Sequence, residues 1–199
     1  MNIPQKHQYL SYKKIGQMAD EFLNNYHPNF SLPIPIEEIA EQKLKLKIIQ
    51  KMNLKNDYDV DGFLTSDLTT IFLDFNMYLK YEGRTRFTIA HEIGHLVLHK
   101  EVFQKLNINS VEKLNSISTK LTDEEYGWLE YQAYSFASQV LVPKELLINQ
   151  LKKRLGRIPS REPLEILSPV VQDLPEIFKV SDAVILRRLQ KEEIIKSNS

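Results

Sequence analysis

The chain has 199 residues, 42% hydrophobic and 26% charged, which suits one globular domain with room for a small appendage. Acidic and basic residues balance at 26 each, which disfavours a strongly basic nucleic-acid binder or a polybasic membrane binder. Cysteine is absent, so disulfides and thiolate metal sites are excluded. No apolar run reaches the roughly 20 residues of a membrane span. The polar start MNIPQKHQYLSYKK lacks a signal-peptide core, so a cytoplasmic location is expected.

Residues 9–26 carry Leu10, Ile15, Met18, Phe22 and Leu23 near helical spacing, which predicts an amphipathic helix ending before His27-Pro28. His7 and His27 read as a terminal and a solvated loop histidine. After an extended connector at Pro33, Pro35 suits the start of a short helix, with Glu37 and Glu38 in its first turn. The run from Leu44 to Ile49 alternates apolar and basic, the pattern of a half-buried strand. Residues 53–61 read as a loop. Strands are expected over 61–65 and 69–75 with Ser66-Asp67 in the turn, giving a small antiparallel sheet of about three strands. Asp57, Asp59, Asp61 and Gly62 imitate the start of a calcium loop, but Leu68 stands where the bidentate glutamate belongs, so a solvated acidic turn is expected.

Thr85 suits the N-cap of a helix over about 86–99, which contains His91-Glu92-Ile93-Gly94-His95. Two imidazoles four residues apart on a helix share one face and can reach a single tetrahedral ion. Glu92 lies beside them, where it can take a proton from a metal-bound water. Ile89, Ala90, Ile93, Leu96, Val97 and Leu98 surround the motif, so this helix is buried on most sides. Unpaired polar side chains are costly there, and a metal gives all three a shared reason. Gly94 costs helix stability and points to a close approach by another backbone.

A catalytic zinc site needs a third protein ligand. His99 lies about 12 Å along the axis from His91, too far for all three imidazoles to share an ion, and it reads as a helix-end residue facing the dipole. Val97 and Glu101 occupy the positions of the metzincin Gly and His, so that pattern is excluded. The next strong helical segment is 122–142, with a possible Thr122/Glu125 capping box and a start either at Thr122 or only after Gly127. Glu130, Ala133 and Ala137 share a face of it, and small residues at that spacing permit tight packing on the motif helix. Glu130 is therefore the candidate third ligand.

Residues 157–163 read as a linker. Ser168-Pro169 suggests one further helix start, and Ser181 caps another through DAVILRRLQKEEII. The tight Lys179-Val180-Ser181 turn looks like helix-turn-helix. Arg187, Arg188 and Lys191 could touch phosphate, yet Asp182, Glu192 and Glu193 share that helix, so a packing or partner module is expected over direct nucleic-acid binding.

RTRFTIAHEIGHLVLH followed by LEYQAYSFASQVLVP resembles the ImmA/IrrE family of zinc metallopeptidases over roughly residues 30–145. The family pattern is RFT-x-AHE-x-GH, then E-x-E-A-x-x-FA and a hydrophobic run ending in proline. The resemblance implies zinc (Zn2+) on His91, His95 and Glu130, with Glu92 as general base. Gln132 departs from the pattern, where the second glutamate belongs. The fold implied is α+β with a gluzincin-type site: the small sheet packs on the HExxH helix and a second ligand-bearing helix, followed by a helical C-terminal extension. The expected division is a zinc metallopeptidase domain over 1–155 and the extension over 156–199. The implied activity is that of a zinc endopeptidase acting on a protein substrate, commonly a helix-turn-helix DNA-binding repressor of a phage or mobile element. Tyr126, Tyr131, Tyr134 and His99 all remain open as oxyanion-stabilising groups. The competing reading is a non-catalytic regulator that binds a repressor or another partner.

Overall fold

The computed structural model describes residues 9–113 and 120–195; His7 lies outside them. The fold is α+β. Helix α1 (Tyr12–Tyr26) starts at Ser11, whose side chain accepts from the Lys14 N–H, and buries Ile15, Ala19, Phe22 and Leu23. His27 ends α1. It is buried rather than solvated, because its ring turns inward to Ser31 O at 3.0 Å. Helix α2 (Ile36–Glu38) continues as a π turn over Ile39–Lys43. Leu44 N–H and Leu46 N–H bond back to Ile39 O and Ala40 O. Those bonds use up the first residues of the alternating run, so strand β1 covers Lys47–Lys51 rather than 44–49.

The expected loop over 53–61 contains a short helix, α3 (Leu54–Tyr58), between left-handed Asn53 and Asp59. Strands β2 (Gly62–Leu64) and β3 (Thr70–Asp74) form the expected hairpin, with Phe63 opposite Phe72. The sheet order is β1-β3-β2, and β1 runs parallel to β3, so the expectation of a wholly antiparallel sheet is corrected. The cause is α3. Its buried Leu54 takes the chain across the end of the sheet, and β2 then joins the far edge of β3 instead of folding back on β1. Asp74 secures this end: its carboxylate accepts from Lys55 N–H at the start of α3 and from Met77 N–H at the start of α4 (Phe75–Lys80).

The motif helix α5 spans Glu82–Leu98. Thr85 is not its cap, because the hydroxyl is turned inward to Met77 O on α4. After α6 (Lys100–Leu106), helix α7 (Asp123–Leu141) opens on a complete Thr122/Glu125 capping box, which settles its start ahead of Gly127. Helix α7 packs against both α5 and α1, with the Phe22 and Phe136 rings edge to face at 5.5 Å. A methyl group on Gly94 would stand 3.1 Å from Ala133 Cα and Ala133 O, so glycine is what allows this approach.

Helix α8 (Lys144–Leu155) is followed by α9 (Leu164–Val171), α10 (Leu174–Phe178) and α11 (Asp182–Lys191). Helix α9 starts four residues before Ser168, because Leu167 is buried, and carries Pro169 inside it. The α10–α11 turn has Lys179 in the left-handed region and packs against Gly83 in the first turn of α5. Buried Arg86 ties three parts of the chain together: its guanidinium donates to Ile34 O, pairs with Glu37 at 2.7 Å and donates to Lys179 O at 3.2 Å. The basic residues of α11 are also engaged internally. Arg187 lies over the Tyr134 ring at 4.5 Å and Lys191 over Tyr12 and Tyr131, each at 5.6 Å. Arg188 is buried, bonded to Val142 O, Tyr12 and Glu192.

Candidate metal centre

The tight α5–α7 contact brings the three candidate ligands together. His91 Nε2 and His95 Nε2 are 3.1 Å apart. Glu130 Oε2 is 3.1 Å from His91 Nε2, and Glu130 Oε1 is 3.4 Å from His95 Nε2. A tetrahedral ion with bonds of about 2.0–2.1 Å spaces its ligand atoms by about 3.3–3.4 Å, so the donor set fits such an ion. The composition of the set supports the fit. Two ring nitrogens are aimed at one another and at a carboxylate, and a cation between them would satisfy all three. Among the described residues this is the only group of three such side chains with its ligand atoms gathered within 4.8 Å. Burial works against the Glu130 charge, but hydrogen bonds to His91 and His95 outweigh it and hold the carboxyl well below its usual range.

Glu92 is buried beside the pair. One of its oxygens accepts from Leu64 N–H of β2 at 2.8 Å, so the sheet orients the carboxylate. Burial pushes its pKa up, against the lowering influence of His91, His95 and the Leu64 bond. Glu92, His91, His95 and Glu130 all line one cleft of about 750 Å³. The β2 edge forms one wall. Phe103, Leu106, Ile108 and Leu121 give the lining an apolar share, to which Phe87, Tyr134 and Val184 add.

His99 does not simply face the dipole at the end of α5. It is buried behind His95, its Nδ1 3.0 Å from His95 Nδ1 and its Nε2 3.3 Å from Gln132 Oε1. Burial, aided by His95, pushes its pKa down to about 3, so the ring is neutral. Of the four open oxyanion candidates, Tyr126 and Tyr134 line the cleft. Tyr134 packs on Phe87 and under Arg187. Tyr126 instead neighbours Glu130 and Glu92; burial and these two carboxylates push its phenol up. Sequence reasoning missed the Leu64 and Gln132 contacts, which depend on pairings 28 and 33 residues apart. Only the departure from the family pattern at Gln132 drew notice to that position.

The triplet Asp57, Asp59 and Asp61 gathers no such site. Asp59 pairs with Lys55 at 2.8 Å, and Asp61 with Arg84 through two bonds of 2.7 Å.

The model of the Peptidase_M78 family, described as the IrrE N-terminal-like domain, matches residues 43–190. The chain belongs to this family. The M78 assignment makes it a metallopeptidase-family protein. No curated protein matches the sequence. Among solved structures, a Mycobacterium tuberculosis transcriptional regulator has a similar fold, with a TM-score of 0.55 at 14% identity. The alignment covers 88% of this chain and 46% of that one, so the M78 chain spans about half the length of that structure. Among the described residues, no helix is long and apolar enough to cross a membrane.

Proposed function

We propose that this M78 protein is a zinc-dependent endopeptidase whose substrate is a helix-turn-helix transcriptional repressor. The observation that carries the reading is the convergence of His91, His95 and Glu130 in a cleft that Glu92 also lines. Zinc held by those three residues would supply a Lewis acid and a water acidified toward a pKa of about 7. Glu92, held by the Leu64 N–H, takes the proton of the attacking water and returns it to the leaving amine. Tyr126, half-exposed at the cleft wall, donates a hydrogen bond to the developing oxyanion. Strand β2 lies at the edge of the sheet and along the cleft, so an extended peptide can add to it as a further strand. A substrate complex without strand pairing would remove that last element.

The test compares wild type with Glu92→Gln on candidate repressor substrates, with zinc measured in both. The proposal expects near-stoichiometric zinc in each and cleavage by the wild type alone. A second reading, a non-catalytic regulator, takes support from the similar fold being that of a transcriptional regulator. It expects Glu92→Gln to keep full derepressing activity in cells.

A further inference from the structure

Behind the candidate metal centre a buried relay runs from His95 through His99 to Gln132. The three residues are 2%, 5% and 2% exposed, so little solvent competes for their hydrogen bonds. A neutral imidazole carries one N–H and one lone pair, and a carboxamide oxygen can only accept. With Gln132 Oε1 facing His99 Nε2, that nitrogen must hold the proton. His99 Nδ1 is then a lone pair, and the neighbouring His95 Nδ1 must donate to it. The proton of His95 is thereby fixed on Nδ1, which leaves a lone pair on Nε2, the nitrogen facing His91 and Glu130.

We propose that Gln132 is a positioning residue for the metal. Acting through His99, it selects the His95 tautomer that can ligate. The inference rests on the metal reading of the same site. No proton is gained or lost along the relay; only its place on each ring is chosen. The carboxamide can also be turned so that its NH2 faces His99. Every donor then reverses, and a proton sits on His95 Nε2 where a ligand lone pair is required. A glutamate at 132 would lack that second orientation, because both of its oxygens accept. The ligating tautomer in this chain therefore depends on the orientation of one buried amide.

The experiment measures zinc affinity by chelator competition for wild type, Gln132→Glu and Gln132→Met. Long-range proton–nitrogen spectra of zinc-loaded wild type report the His99 tautomer. The expectation is affinity weakened about 10–100-fold in Gln132→Met, the usual effect of losing an outer partner of a ligating histidine. Gln132→Glu should bind as wild type does or more tightly, and His99 should carry its proton on Nε2. Gln132→Met binding zinc as tightly as wild type, or a His99 proton on Nδ1, overturns the relay while leaving the metal reading intact. Wild type that takes up no zinc overturns both. If Gln132→Met does not fold, the wild-type tautomer and the Gln132→Glu affinity still decide.

Discussion

Two clusters of potential ligands invite comparison. Asp57, Asp59 and Asp61 lie close together in sequence and imitate a calcium loop, yet Lys55 and Arg84 neutralise two of them at the surface. His91, His95 and Glu130 are split between two helices, yet their ligand atoms converge in the interior, where Glu130 pairs with both rings. Clustering in sequence was the poorer guide. What separates the two is the company of the donors: the acidic turn has its own cations, whereas the His/His/Glu set leaves a place for one. Arg188 and Glu192 form an intermediate case, a buried pair whose cation is part of the chain.

These differences can be tested by removing one member of each group. Glu130→Ala should have the largest effect, dropping zinc from near-stoichiometric to a small fraction by elemental mass spectrometry, with the fold preserved by circular dichroism. Arg188→Met leaves Glu192 its pair with Lys144 at 2.8 Å but strips the buried bonds to Val142 O, Tyr12 and Glu192, and should cost about 1–3 kcal/mol in urea unfolding. Asp74→Asn should cost about 1–2 kcal/mol, since an amide keeps one acceptor oxygen where the carboxylate uses both, one on Met77 N–H at the start of α4 and one on Lys55 N–H of α3. Its pH dependence has a definite sign. Burial works to raise the Asp74 pKa, but the backbone N–H groups of Lys55, Met77, Asn76 and Leu54 outweigh it and hold it below the ordinary value. Its stabilisation is therefore complete above the ordinary aspartate pKa of about 3.9. It is lost as pH falls through the lower folded value, so the gap between wild type and Asp74→Asn should close in acid. Asp61→Asn weakens solvent-screened pairs with Arg84 and, at 3.7 Å, with Lys55, and should cost below about 1 kcal/mol. Calcium should leave the Tm of both forms unchanged. A calcium-raised Tm in wild type alone would erase the distinction between the clusters.

The sequence made legible what depends on local periodicity. The four-residue spacing of His91 and His95, the Thr122/Glu125 box and the shared face of Glu130, Ala133 and Ala137 all follow from one helical repeat. The close pass at Gly94 could be anticipated because glycine within a helix is costly without a packing reason. The parallel pairing of β1 could not, since it depends on where Leu54 is buried, and the apparent loop signal of residues 53–61 concealed α3. Thr85 carried the right chemistry for a cap and spent it on a neighbouring helix. The role of His99 was hidden because its partner, Gln132, comes from a different helix.

Arg86 gives the architecture a consequence in time. Its guanidinium is buried on the helix that carries His91 and His95, and it is held by Ile34 O, Glu37 and Lys179 O. As the chain is synthesised, the first two partners precede Arg86, whereas Lys179 follows 93 residues later. Until α10 and its turn emerge, one donor of a buried charge lacks its acceptor and the first turn of α5 lacks its cover at Gly83. The helix bearing the candidate ligands is thus completed by a segment made 93 residues after Arg86, and a nascent chain stopped short of Lys179 would carry the motif without the setting that holds it.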